Sequence, residues 1–267
     1  SKLTHEPRVS VAVLESLFAP YVSGGSLTIL MRHRPVAADA GRDRVRAVTL
    51  RSAESGIERT IHAAYFLDAT EQGDLLPLAR CEYVTGFEPR RETGEPRAPE
   101  TAQPANIQSF TVCFAMDHLP GEDHTIEKPR DYAFWRDYVP ELRPPWTGRQ
   151  LDWRNTHPVT LEPRVHGFDP ELTAPRNPAG NLWLYRRIAN RRNFEPGAYP
   201  SDITLVNWPQ SDYWLGNLHE VTAEEAARHL KRAKQLSLSL LYWMQTEAPR
   251  PDGGAGWKGL RLRGDIT

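Results

Sequence analysis

Asp68, Thr70, Gly73 and Asp74 fall within one short stretch, directly behind the apolar run from Ala63 to Leu67. The run shows no polar alternation, which predicts a short strand covered on both faces. Leu75, Leu76, Leu78 and Ala79 beyond it have the apolar content of an opening helix, with Pro77 in the first turn, where a missing N–H costs little. Strand, polar turn and helix in this order place carboxylates, a hydroxyl and a glycine where open α/β sheets bind ligands. The same residues suit a second purpose: Asp68 and Thr70 can cap the helix, and Asp74 lies near its positive end.

A second gathering runs from Asn207 to Trp214. Asn207, Asp212 and Tyr213 can orient hydroxyl or amino groups, and Trp208 or Trp214 offers a stacking face, a set suited to a polar ring such as a sugar. Tyr185 and Arg186, followed by Arg187, can add a contact to an anion. The structural alternative puts the aromatic rings in the core and Asp212 at the start of a turn. All 8 tryptophans lie from Trp135 onward, so a binding wall belongs to the second half.

Other motifs carry less. A literal GxGxxG, Gly254 to Gly259, follows Ala-Pro-Arg-Pro-Asp-Gly instead of a strand and reads as a Gly-rich loop. His157 and His166 form no HxH or HxxxH pair, so no metal site is expected and both read as surface residues. Cys81 and Cys113 have no CxxC spacing and are expected as reduced, buried or half-buried thiols.

The chain has 267 residues, enough for one large domain or two intertwined ones, and its 33 basic residues nearly balance 34 acidic ones. That balance argues against nucleic acid or a membrane surface as partner and favours a small molecule. No apolar run approaches the roughly 20 residues that span a bilayer, and the first residues lack a signal-peptide core, so a cytoplasmic location is expected.

The elements that must position these groups follow from periodicity. Val9 to Ala19 reads as a helix, Leu27 to Met31 as a short strand, and residues 32–38, 44–51 and 58–62 as a three-stranded antiparallel meander. A Pro/Glu/Arg/Thr-rich excursion covers 87–105. A strand is expected over 107–116, long loops over 117–180 with a short helix near Tyr132 to Tyr138, and strands over 182–188 and 203–206. The clearest helix runs from Thr222 to Thr246, about 37 Å long, opened by a Thr222/Glu225 capping box and carrying a solvated basic face.

Helix, strand, meander, apolar strand and D-A-T-x-x-G-D together resemble the later half of the FAD-binding domain in FAD-dependent oxidoreductases of the two-dinucleotide-binding type. HAAYFLDATEQGDLLPLARCEYVTGFE, HTIEKPRDYAFWRDY, PGAYPSDITLVNWPQSDYW and LSLSLLYWMQTEAPRPDGG are similar to the interior of one bacterial branch of these flavoproteins. The resemblance implies an FAD cofactor, adenine meeting the backbone near Val36, and a turn of Asp68, Ala69, Thr70, Glu71, Gly73 and Asp74 facing the flavin nucleotide. It implies an α/β fold: a partial Rossmann-like FAD-binding domain with a β-meander over 1–86, interwoven with an α+β substrate domain over 87–267.

The family opens with strand, GxGxxG and helix, which do not occur before Val9, and continues past a segment like GLRLRGDIT. The chain is therefore expected to be an internal fragment, inactive alone, whose partners are the missing N-terminal and C-terminal segments of the same polypeptide and a small-molecule substrate. The expected function is flavin-mediated hydride transfer from a polar, carbohydrate-like substrate bound by Tyr185, Arg186, Asn207, Asp212 and Tyr213. No residue stands out as the catalytic base. The alternative is a non-catalytic small-molecule or carbohydrate-binding module.

Overall fold

Helix α1, Pro7–Ser23, is apolar on nearly every side and holds no buried residue. A helix of that composition is ordinarily covered on all faces. Gly41 to Asp43 and Glu54 to Gly56 then reverse the chain twice, and Gly56 takes the left-handed angle its turn requires. The result is the antiparallel meander β1 (His33–Gly41), β2 (Arg44–Ser52) and β3 (Glu58–His62), in that spatial order. Arg51 and Glu58, directly opposite across β2 and β3, form an ion pair, and Arg46 grips Asp39. Such exposed pairs set register but contribute only about 0–1 kcal/mol each.

The computed structural model describes residues 5–177 and 180–266. It divides into two compact units, one of Ser1–Leu14 with Ser109–Thr267, the other Glu15–Gln108. In the smaller unit the buried side chains among the described residues are Ala47, Val48, Pro89 and Ala98. Residues 27–31 and 63–67 form no strand there, unlike the expectation from their apolar content. Tyr65 is 85% and Leu67 88% exposed: an apolar run becomes a covered strand only where neighbouring strands pair with it. The helix behind the polar turn shrinks to α2, Leu75–Leu78, and a further short helix α3, Arg90–Thr93, ends on left-handed Gly94.

The larger unit is built on a four-stranded antiparallel sheet and one long helix. Its elements are β4 (Phe110–Thr111), β5 (Phe114–His118), α4 (Tyr132–Asp137), β6 (Arg154–Thr156), β7 (Pro163–Val165), α5 (Leu182–Tyr185), β8 (Arg187–Ala189), β9 (Ile203–Val206), β10 (Asp212–Tyr213), α6 (Ala223–Thr246) and β11 (Leu260–Leu262). The sheet order is β11-β5-β9-β8, with β10-β4 and β6-β7 as separate pairs. The expected strand over 107–116 is thus split in two, and 182–188 begins as a helical turn because the Asn181 side chain caps it by accepting the Trp183 N–H.

Helix α6 buries Ala233, Leu236, Leu240, Leu241 and Met244 in a core shared with Trp135, Trp183, Trp208 and Tyr213. Thr222 caps it by accepting the Glu225 N–H at 3.1 Å, but the Glu225 carboxylate turns to Arg228 instead of closing the expected box. Leu230, which falls on the apolar stripe by its spacing from Ala226 and Ala233, is exposed all the same. Fully buried Gln245 accepts the Ile126 N–H and donates to the His124 and Leu260 carbonyls, so one amide ties the helix to a loop and to β11. Asp117, also fully buried, receives Arg261 and Arg263 and fastens β11 to β5. Gly254 to Gly259 is a loop, and Gly256 is needed because a Cβ would strike the Gln245 carbonyl.

Candidate functional site

In the smaller unit the turn after Leu67 is organised by its own side chains. Asp68 accepts the Thr70 N–H and hydroxyl through one carboxylate oxygen and the Leu75 N–H through the other; Thr70 Oγ1 accepts the Asp74 N–H at 2.7 Å. These bonds hold the Asp68 carboxyl below its ordinary range, those from the Thr70 backbone and hydroxyl first. Asp68 and Thr70 therefore do the capping that the sequence left as one of two readings. With α2 a single turn long, little helix dipole stands behind it.

The backbone of the turn is left open. Among the described residues, the N–H groups of Ala69, Glu71, Gln72 and Gly73 take no protein acceptor. Gly73 has φ +66, and a Cβ there would come within 2.9 Å of Leu76 Cδ1. A loop with unspent donors and a left-handed glycine fits polyoxygenated groups such as the diphosphate and ribityl chain of FAD. Val36 occupies a bulge: Pro35 pairs with Leu50 and Ala37 with Thr49, leaving Val36 without a partner across β2. Its backbone thus fits the adenine contact that the resemblance implies.

In the larger unit most of the expected substrate residues converge. Thr111 and Asp212 are cross-strand partners in β4 and β10, and the Thr111 hydroxyl donates to the Asp212 carboxylate. Arg186 donates from Nε to the Asn207 carbonyl at 3.2 Å and lies 5.2 Å from the centre of the Tyr185 ring. Both Asp212 and Arg186 act on the Cys113 thiol, which desolvation holds above its ordinary value. Desolvation also raises the Asp212 carboxyl, against the Thr111 hydroxyl that favours its ionised form. Tyr185, Arg186, Asn207 and Asp212 thus share one neighbourhood with Thr111 and Cys113, two residues that sequence reasoning did not select. Their signal was the alternation around Phe110 and Val112, which puts Thr111 and Cys113 together on the opposite face.

Tyr213 is placed differently. Its side chain is fully buried in the core, and its hydroxyl shares a 2.9 Å hydrogen bond with His229 Nδ1. Residue alternation across β10 sends Asp212 and Tyr213 to opposite faces. Cys81 and Cys113 are free thiols, as expected, but both are exposed where buried or half-buried positions were expected. His157 stays local, accepting the Val159 and Thr160 N–H groups, and half-buried His166 meets Asn155. Among the described residues no group of three or more His, Cys, Asp or Glu is placed to hold a metal.

The larger unit also contains an open cleft of about 1150 Å³, walled by Trp153, Phe168, Leu172, Leu184 and Tyr185 among others. Trp153 and Phe168 stack at 4.7 Å and 12° behind it. Its loop wall hangs on buried Asp169, whose carboxylate accepts the N–H groups of Glu171, Leu172 and Ala174 and the Thr173 hydroxyl. The sequence signal was Asp169-Pro170, a turn-opening pair in a stretch without periodicity.

Mixed α/β architecture and a glycine turn with open donors are compatible with a protein that holds a nucleotide cofactor. The FAD dependent oxidoreductase family matches residues 1–266, and the chain belongs to that family, with FAD as its cofactor. No individual curated protein and no solved structure shows a significant match. No described helix is long and apolar enough to cross a membrane.

Proposed function

We propose that the chain contributes the FAD-facing turn and the substrate wall of an oxidoreductase that removes hydride from a polar, carbohydrate-like small molecule. The observation that carries the reading is the turn of Ala69 to Asp74, whose unspent N–H groups surround left-handed Gly73 inside a chain of this family. Val36, Asp68, Ala69, Thr70, Glu71, Gly73 and Asp74 hold the cofactor: backbone N–H groups on phosphate or ribityl oxygens, Asp68 and Thr70 fixing the loop. FAD, when bound, supplies the hydride acceptor. Tyr185 and Arg186 bind and orient the substrate, Asn207 and Asp212 take its hydroxyl groups, and Tyr213 supports Asp212 from the core side.

The smaller unit carries the fragment reading. With so few buried side chains and the half of α1 after Leu14 uncovered, its apolar surface calls for further segments of the same polypeptide, among them a Gly-rich dinucleotide-binding unit. The chain alone is then inactive, and its partners are those segments and the substrate, not nucleic acid or membrane. The test compares the longer gene product with residues 1–267 by visible flavin absorbance. The longer protein is expected to be yellow and the shorter one nearly colourless. Gly73→Ala in the longer protein should lower flavin content several-fold, while Asp212→Asn should keep flavin and melting temperature but lower turnover. Tight stoichiometric FAD on residues 1–267 with Gly73→Ala unaffected would remove this assignment and favour a non-catalytic binding module.

A further inference from the structure

We infer that Trp146 and Trp214 form a surface stacking platform for a neutral, polyhydroxylated ring, a pyranose in chemical class. The inference rests on the substrate-wall reading of Asp212 and deepens it by naming what lies against that wall. Of the 8 tryptophans, Trp135, Trp153, Trp183, Trp208, Trp243 and Trp257 are buried in the core of the larger unit. Trp146 and Trp214 are not. Both are half-buried, and their rings meet each other at 6.0 Å and 53°. A tilted pair of large rings left at the surface keeps apolar area in water that a flat ligand can cover.

Strand geometry ties the pair to Asp212. Side-chain alternation along β10, carried one residue further, sends Asp212 and Trp214 to one side and Tyr213, the core residue, to the other. Because β10 runs antiparallel to β4, Cys113 lies toward one end of the ladder from Asp212 and Trp214 toward the other. The loop that carries Trp146 is fixed to the same place. Fully buried Gln150 donates from Nε2 to the Asp212 and Gln210 carbonyls, and Trp146 Nε1 donates to the Arg149 carbonyl at 3.3 Å. Thr147 shares a 3.0 Å hydrogen bond with Thr156 of β6. A carboxylate thus stands beside two aromatic rings on a rigid support.

Indole faces are electron-rich, and the C–H bonds on one side of a pyranose carry the complementary charge, while its hydroxyl groups can donate to an acceptor such as Asp212. The surrounding charges favour a neutral ring. Arg149 is matched by Asp137, and Arg154, close to Gly148 of the same loop, by Asp152. Arg143 is exposed to water, where a pair with a ligand carboxylate would contribute little. Arg186 lies close enough to act, with Asp212, on the Cys113 thiol, so an ammonium drawn to that carboxylate meets a guanidinium as well.

The experiment is a titration of the 267-residue chain, without flavin, with methyl β-glucopyranoside, followed by calorimetry and tryptophan fluorescence. Mannitol, glucosamine and glucuronate serve as comparisons. The glucoside is expected to bind saturably and to shift the tryptophan emission, with the open-chain mannitol several-fold weaker. Trp146→Ala and Trp214→Ala should each weaken the glucoside several-fold, and Trp146→Phe and Trp214→Phe, which keep a ring, should retain most of the affinity, separating lost stacking from lost folding. Mannitol binding as tightly as the glucoside, or alanine variants binding like the parent, would overturn the platform. Tighter binding of glucosamine or glucuronate would overturn the neutral class, and no saturable glucoside binding would overturn the site. No flavin takes part, so failure here is distinct from failure of the FAD turn, which visible absorbance reads.

Discussion

His118 shows how one residue can govern acid stability. It lies in β5 at 5% exposure, edge-on to Trp257, and its pKa is lowered to about 4 by desolvation first and then by the Arg250 charge, against the pull of Asp117 and Asp169. The unfolded chain therefore binds the proton more readily between the ordinary histidine value and about 4. Stability from this group is present at neutral pH and is lost as pH falls through that window. Urea unfolding should give a free energy lower by about 2 kcal/mol at pH 5 than at pH 7.5 from this residue. In His118→Gln that part of the difference should vanish. Asp212 works in the opposite sense: its raised carboxyl means the folded state holds the proton longer, so its contribution declines as pH rises from the unfolded carboxylate value.

Among the elements, α6 is the spine of the larger unit, 24 residues long, and its start depends on one hydroxyl. Because Glu225 has turned to Arg228, Thr222 alone serves the first orphan donors, and nothing reciprocal compensates for its loss. Thr222→Ala should cost about 1 kcal/mol by chemical denaturation, near the centre of the range for N-cap deletions. Glu225→Gln should cost much less, since its exposed ion pair with Arg228 is worth little.

Across the whole molecule, hydrophobic cover is unevenly shared. The larger unit encloses Trp135, Trp183 and Trp208 almost completely, whereas the smaller leaves Ile57, Tyr65, Leu67 and Val84 largely exposed. Exposed apolar surface on this scale ordinarily marks an interaction face. Limited proteolysis of the 267-residue chain should cut first between residues 15 and 108 and leave the larger unit's core fragments protected, and a dye that reports apolar surface should bind strongly. Uniform resistance of both units would show that the smaller one is stable as it stands.

Meander, long helix and the self-capped turn from Asp68 to Leu75 were legible in the sequence because each depends on local rules. Glycine and aspartate at the hairpin corners, 3.6-residue periodicity in α6, and an acid and a threonine spaced to cap α2 act over a few residues. The apolar runs at 27–31 and 63–67 were not legible, since a strand is completed by partners elsewhere and the run itself does not encode whether they are present. The same holds for the sites. Tyr213 and Asp212 are neighbours in sequence, yet the pleat sends one ring into the core beside His229 and leaves the other side chain with Thr111. The cleft is assembled from residues as far apart as Trp153 and Pro251, in loops without periodicity, so only the tertiary fold could bring its arginines, amides and aromatic wall to one place.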